Sequence, residues 1–160
     1  MTPLSRRFYR RDAVALARAL LGKELVRVLP GGGRISGRIV EVEAYLGAAD
    51  RAAHTYRGRR TDRNASMFLD GGHAYVYFTY GMHFCFNVTA DREDVPTACL
   101  VRALEPLEGS KRMRRHREHR RGGRRRPLRE TDLCSGPAKL AQALAIDRNL
   151  DGIDLVAGRK

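Results

Sequence analysis

Five strand-like runs follow one another through the middle of this 160-residue chain, and no crossover helix separates them. They are ELVRVL from Glu24, RISGRIVEVEAYL from Arg34, the two halves of HAYVYFTYGMHFCFNVTA on either side of Tyr80–Gly81, and TACLVRALEP from Thr97. Strands that alternate with helices build a doubly wound parallel sheet, whereas strands that run on from one another build an antiparallel one. No G-x-G-x-x-G, Walker pattern or internal repeat argues otherwise. The chain is therefore read as α+β: a single domain over residues 1–160 with a curved, largely antiparallel sheet, flanking helices and a protruding β-hairpin.

The helices are expected at the flanks. Asp12 caps AVALARALLG, where Val14, Ala17, Leu20 and Leu21 recur at helical spacing and Gly22 ends the run. PLEGSKRMRRHREH forms a second helix, and SGPAKLAQALAI a third with Ser135 as cap and Pro137 in its first turn. Pro30 to Gly33 turn the first strand back on the second, in which Ile39, Glu41, Glu43 and Tyr45 alternate with Val40, Val42 and Ala44. One face is then core and the other carries carboxylates. If Gly81 takes the left-handed position of a three-residue loop, Tyr77 pairs near His83, and Tyr75, Tyr77, Cys85 and Asn87 share a face with Tyr80 at the apex. The polar stretch from Gly47 to Asp70, with a short helix around Asn64 to Phe68, is long enough for a functional loop.

No apolar run approaches the roughly 20 residues that span a bilayer, and the basic start MTPLSRRFYRR leads into no apolar stretch. The expectation is an intracellular, soluble protein that does not touch membranes. Cys85, Cys99 and Cys134 are an odd set without C-x-x-C spacing, which points to buried free thiols over disulfides or zinc.

Charge is placed unevenly. Of a formal net +13, the segment Lys111 to Glu130 carries +9, with Lys111 and ten arginines against Glu118 and Glu130. Such a run neutralises phosphates, lies on an anionic membrane, or is a solvated segment. Its GGRRRPL portion holds helix breakers and no apolar periodicity, so residues 111–130 are expected to be a basic, mobile segment.

Several residues could carry chemistry. Glu41 and Glu43 suit a metal pair, a general acid and base, or two solvated carboxylates, with Asp50, Asp62 and Asp70 as further acids in reach of a metal. Tyr80 has no core beneath it at a hairpin apex, so it either enters something apolar, such as a base stack, or folds back on its own hairpin. Tyr45, Tyr56, Tyr75, Tyr77 and His54 offer faces on which bases stack, as well as ordinary core surface. The four lysines, Lys23, Lys111, Lys139 and Lys160, all lie outside these segments, which disfavours Schiff-base chemistry.

Four blocks in order, VEAYLGAADRAAHTYRGRRTDRNASMF, YVYFTYGMHFCFNV, LVRALEPLEG and LCSGPAKLAQAL, resemble the methylpurine DNA glycosylase family, also called alkyladenine or 3-methyladenine DNA glycosylases. The resemblance runs from Phe8 to about Leu155. It implies a monofunctional base-excision repair glycosylase, a hydrolase of N-glycosyl bonds. Such an enzyme flips alkylated or deaminated purines, hypoxanthine included, out of duplex DNA and cleaves the bond to deoxyribose with a Glu-activated water. By the same resemblance Glu43 is the catalytic carboxylate, and Arg102 sits near the catalytic water and target phosphate. Tyr45, Ala52, His54, Tyr77 and Asn87 form the base pocket, with Asn87 obstructing the exocyclic amine of guanine. Tyr80 intercalates, and Arg59, Thr61, Met82 and Lys139 meet the DNA backbone.

No metal and no cofactor are implied. The partner is double-stranded DNA containing damaged purines, and the protein is expected to be a cytoplasmic monomer, nucleoid-associated in a bacterium. Family members are expected to continue past DLVAGRK with strands that complete the sheet, so the chain is read as lacking the family's C-terminal part. It also differs from the family in its more basic arginine run and in His83, where an aromatic is expected. The competing reading is a catalytically impaired nucleic-acid-binding protein that keeps the groove and the wedge. A third is an RNA-binding module that uses the arginine run.

Overall fold

The computed structural model describes residues 2–121 and 127–158. Five strands, β1 (Glu24–Val28), β2 (Arg34–Tyr45), β3 (Ala74–Thr79), β4 (His83–Ala90) and β5 (Thr97–Glu108), form one sheet in the order β1-β2-β5-β4-β3. Every neighbouring pair is antiparallel, as the helix-free succession of strands requires. The helices are α1 (Arg6–Tyr9), α2 (Ala13–Leu20), α3 (Ser110–Arg121) and α4 (Pro137–Ala143).

The two faces of the sheet are treated differently. On one, α2, α3 and α4 bury Leu16, Leu20, Met113, Leu140 and Leu144 against Ile35, Val76, Phe86, Val88, Cys99 and Val101. Each such side chain contributes about 1.5–3 kcal/mol on leaving water. On the other face the long β2–β3 connection lays Met67 and Phe68 over Tyr75 and Ala98, a small second core beside which the rest of that face stays open. All three cysteines are free and buried, Cys99 donating to the Ala13 carbonyl at 3.2 Å. Among the described residues no helix is long and apolar enough to cross a membrane.

Some local expectations change. Ile39 is buried while Val40 and Glu41 are both exposed, and Val42 and Ala44 then turn to the core. The pairing with β5 is irregular on both sides of Glu41, and that slip moves the core from odd to even positions. Ile39 thus does not share a face with Glu41, Glu43 and Tyr45. Asp12 does cap α2, accepting from the Ala15 amide at 2.9 Å, a contact worth about 1 kcal/mol. The buried stripe of α2, however, is Ala13, Leu16 and Leu20, with Val14 and Leu21 exposed.

β5 continues through Pro106 to Glu108, where the segment was expected to be helical, and Gly109 at φ 81° breaks the strand so that α3 can begin. Gly136, not Ser135, is the N-cap of α4, with Pro137 in the first turn as expected. Of the basic run, Ser110–Arg121 is helical and pinned by the buried Met113. Of the GGRRRPL portion, expected to be mobile, Gly122 to Arg126 lie outside the described residues.

β4 pairs with β5 only from Asn87 to Ala90, so from His83 to Phe86 its strand partner is β3 alone. The hairpin therefore projects from the sheet as a two-stranded ribbon. Thr79 pairs with His83 across a three-residue loop, which places Tyr77 opposite Cys85, two positions from the His83 pairing expected. Tyr80 (φ 51°) and Gly81 (φ 66°) are both left-handed, the geometry that lets a tight turn follow the twist of its strands.

Candidate active site

The strand register assembles the site. Leu100 of β5 is opposite Glu43 of β2 on one side and Asn87 of β4 on the other, and Asn87 is opposite Tyr75 of β3. Residues opposite one another in a ladder share a face. A single row therefore crosses four strands with a carboxylate at one end and aromatics at the other. Neighbouring strands lie about 4.8 Å apart, so Glu43 and Asn87 are separated by roughly 10 Å, with Leu100 between them.

Glu43 is held from both sides. Its Oε1 accepts from Arg102 Nη1 at 3.2 Å and its Oε2 from the Tyr45 hydroxyl at 3.1 Å. Arg102 is oriented in turn by Glu41, whose Oε1 accepts from Nε at 2.9 Å. That bond, ahead of the Glu43 charge, holds the guanidinium above its usual pKa. Burial, then the negative charge of Glu43, pushes the Tyr45 phenol up to about 12, so it remains a donor at any ordinary pH. A carboxylate offers about four lone-pair sites, and two of those on Glu43 stay free for water.

Next to this group Tyr45, Ala52, His54, Met67, Tyr75, Tyr77 and Asn87 enclose a space of about 20 Å³, room for a water molecule. Asn87 is 1% exposed and donates its Nδ2 to the Tyr75 carbonyl at 3.0 Å, which fixes the amide in the wall. The His54 ring stands edge-on to Tyr77, centroids 4.6 Å apart, and its Nδ1 shares a 2.8 Å hydrogen bond with the Tyr75 hydroxyl. Burial, then the Arg63 charge, lowers the His54 pKa below the usual histidine range. Burial raises the phenols of Tyr75 and Tyr77 and the Cys85 thiol above theirs. The cage thus presents neutral groups, and the adjoining strand supplies a negative one.

The β2–β3 loop closes the cage through a residue that the sequence did not single out. Asn64, 2% exposed, accepts from the Thr61 amide at 2.7 Å and donates to the His54 and Arg59 carbonyls, each at 3.0 Å. Arg63 beside it donates to the Phe78 carbonyl at 2.8 Å and lies 5.8 Å from the Tyr77 ring centroid, bracing the projecting hairpin. Met67 completes the wall from the same short helical turn, Ala65–Phe68. An Asn before a short turn was the available signal, since its amide can satisfy several loop backbone groups at once.

The remaining candidates lie outside the cage. Tyr80 is 89% exposed at the tip and Met82 60% exposed beside it. Arg59 is exposed on the loop, with Thr61 half-buried nearby. Lys139 stands on α4, donating to Ser135 Oγ at 3.0 Å. Asp70 belongs elsewhere: it pairs with Arg10 at 2.7 Å and Arg6 at 3.7 Å, near the N-terminal helix. Glu41 and Glu43 share Arg102, and among the described residues no group of three or more His, Cys, Asp or Glu side chains is arranged to hold a metal.

The site is thus an open sheet face with an ion-paired carboxylate beside a small aromatic cage and a projecting hairpin. Comparison with known proteins gives the site its family. The family model described as methylpurine-DNA glycosylase (MPG) matches residues 7–160. A human protein named DNA-3-methyladenine glycosylase is 52% identical over 157 residues, covering 97% of this chain and 52% of its own length. The mouse protein of that name is 52% identical over 149 residues, 92% of this chain and 44% of its own length. A protein of Natranaerobius thermophilus is 46% identical over 153 residues, 96% of this chain and 74% of its own length. The chain belongs to the methylpurine-DNA glycosylase family, and it spans about half the length of its human relative.

Proposed function

We propose that this chain is a base-excision repair glycosylase. It turns an alkylated or deaminated purine, hypoxanthine among them, out of duplex DNA and hydrolyses its N-glycosidic bond with water activated by Glu43. The observation that carries this reading is the Glu43 carboxylate, oriented through one oxygen by Arg102 and through the other by Tyr45 at the mouth of the aromatic cage. Water attacks C1′ of the sugar and gives its proton to the carboxylate, and the C1′–N bond breaks with its electron pair leaving on the base. An N-alkylated, cationic purine departs neutral, whereas hypoxanthine departs as the anion and takes a proton from solvent water. The carboxylate also stabilises positive charge that develops on the sugar, while Arg102 fixes it in place.

Tyr45, His54 and Tyr77 are the walls against which the base stacks or packs, and Ala52 contributes a wall without bulk. Asn87, fixed by Tyr75, obstructs the exocyclic amine of a normal guanine. Tyr80 fills the gap left in the duplex, and Arg59, Thr61, Met82 and Lys139 meet the backbone. A space of about 20 Å³ does not hold a purine, so entry of a base requires a wall to move. The exposed His54 ring is the part able to swing aside, on a backbone that Asn64 holds, since Tyr75 and Asn87 are locked in the sheet. The working protein is read as a monomer acting where the DNA is, in cytoplasm or nucleoid.

The test is Glu43→Gln, which keeps the shape and removes the charge. Single-turnover release of base from an alkylated duplex should fall by roughly a hundred- to ten-thousand-fold, toward the upper end, while binding to the same duplex survives. Glu41→Gln, which leaves the Arg102–Glu43 bond in place, should cost less than about tenfold. Equal losses in both variants would mean that the two carboxylates act as one unit. Full activity in Glu43→Gln would remove the mechanism.

A further inference from the structure

The outward face of α3 takes no part in the site described above. The helix is turned so that Met113 is fully buried and Arg117 nearly so, which leaves Lys111, Arg115, Glu118 and His119 exposed and Arg112 and Arg114 partly so. On these exposed and partly exposed positions four cations, Lys111, Arg112, Arg114 and Arg115, stand against one acid, Glu118. Among the described residues no ion pair involves Lys111, Arg112, Arg114 or Arg115. Like charges one turn apart, as in Lys111 and Arg115, weaken a helix by about 0.2–0.5 kcal/mol per pair. The helix is held instead from its inner side, where His116 Nδ1 donates to the Ala143 carbonyl at 2.9 Å and Arg117 Nη1 to Gln142 Oε1 at 3.0 Å. Inner packing thus keeps in place an outer face whose own charges repel one another, an arrangement suited to a polyanion.

Its position selects which polyanion. Gln142, which anchors Arg117, lies 3.5 Å from His83 Nδ1 at the stem of the projecting hairpin. A groove of about 200 Å³ runs between Met82, His83 and Phe84 on one side and His116 and Ala145 on the other. α3 therefore flanks the hairpin from the helical face of the sheet, whereas the loop that carries Arg59, Thr61 and Arg63 meets it from the opposite face through Arg63. Twelve helical residues extend about 18 Å, the axial length of about five phosphates of one strand.

We propose that the outer face of α3 is a second landing for the phosphate backbone of duplex DNA, so that the wedge hairpin is straddled by backbone contacts on both sides. This rests on the reading of the hairpin as a DNA wedge. The contact is independent of sequence and of damage: it holds the enzyme on undamaged duplex while lesions are sought.

The experiment pairs Lys111→Gln/Arg115→Gln with Glu118→Gln in the full chain. All three positions are exposed, so each variant should retain the parent's circular dichroism spectrum. On an undamaged fluorescein-labelled duplex, the slope of log affinity against log salt should become shallower by about 1.8 in the double variant, about 0.9 per contact, and Glu118→Gln should bind more tightly than the parent. Single-turnover excision from a lesion-containing duplex at saturating enzyme should stay within about twofold of the parent, because α3 does not touch the reacting atoms. An unchanged slope overturns the proposal. So does a loss seen with single-stranded RNA but not with duplex DNA. Were the parent chain to excise no lesion while the slope still fell, the glycosylase reading would fail and this surface would stand.

Discussion

The β3–β4 hairpin has two ends of opposite character. At the sheet end Tyr75 and Asn87 are each 1% exposed and bonded to one another, with Leu100 opposite Asn87 and the Met67 turn packed above. About five residues further on, roughly 17 Å along the strand, Tyr80 is almost wholly in solvent, on a left-handed backbone that costs a non-glycine residue about 1–2 kcal/mol. Both ends are rich in aromatics, so residue type does not distinguish them. Neighbours do: β5 and the loop cover the first end, whereas toward the second Arg63 reaches the Phe78 carbonyl and Gln142 approaches His83, but Tyr80 at the tip stays exposed. A rigid end can discriminate between shapes, and an exposed tip is free to enter a partner.

The largest expected effect comes from breaking the rigid end. Asn64→Ala removes three hydrogen bonds made by a buried amide and strands three backbone groups. At about 1 kcal/mol per bond, denaturant unfolding should show a loss of roughly 2–3 kcal/mol. KM for a lesion duplex should rise as the His54 wall loosens, and an unaltered midpoint would show that the wall is fixed by something else. A smaller effect comes from the free end. Tyr80→Ala should leave stability within about 0.5 kcal/mol yet lower the flipped population of a fluorescent base analogue at the lesion by about tenfold, since the wedge offsets part of an unstacking cost of a few kcal/mol. A destabilised fold with normal flipping would reverse the roles assigned to the two ends.

How far the sequence reveals these ends depends on the range of the interactions that make them. That β1 to β5 are strands was legible because each run is local in sequence, and so was the tip, since Gly81 announces a left-handed turn. The shared face of Tyr75, Tyr77, Cys85 and Asn87 follows from that turn, although the pairing itself is two positions from the one expected. The slip at Glu41 was not legible, because it arises from how β5 pairs with β2 across about sixty residues of chain. The Asn64 clamp and the Arg63 brace were hidden for a related reason: their partners are backbone groups of the loop and of β3, which no side-chain pattern encodes. Family resemblance put Arg102 near the catalytic water, but its bond to Glu43 was not legible, since β5 carries no mark that it borders β2.

The smallest expected effect concerns protons at the rigid end. The folded pKa of His54 lies below the usual histidine value, because of desolvation first and Arg63 second. Between that folded value and the unfolded one near 6.5, the unfolded chain binds more protons than the native one, so stability contributed here is fully present above 6.5 and declines as pH falls through the window. The same protonation acts on function. An imidazolium beside Arg63 places a second positive charge at a cage otherwise lined by neutral Tyr45, Tyr75 and Tyr77, whose phenols stay protonated throughout. A cationic N-alkylated purine should then be repelled more than neutral hypoxanthine. The ratio of their single-turnover excision rates should fall a few-fold from pH 7.5 to acid conditions, a modest change because His54 keeps one side in solvent. In His54→Gln the ratio should stay flat, with Arg63 the one remaining charge at that wall. A ratio that falls as steeply in the variant as in the parent would assign the pH dependence to another group and leave His54 a purely steric wall.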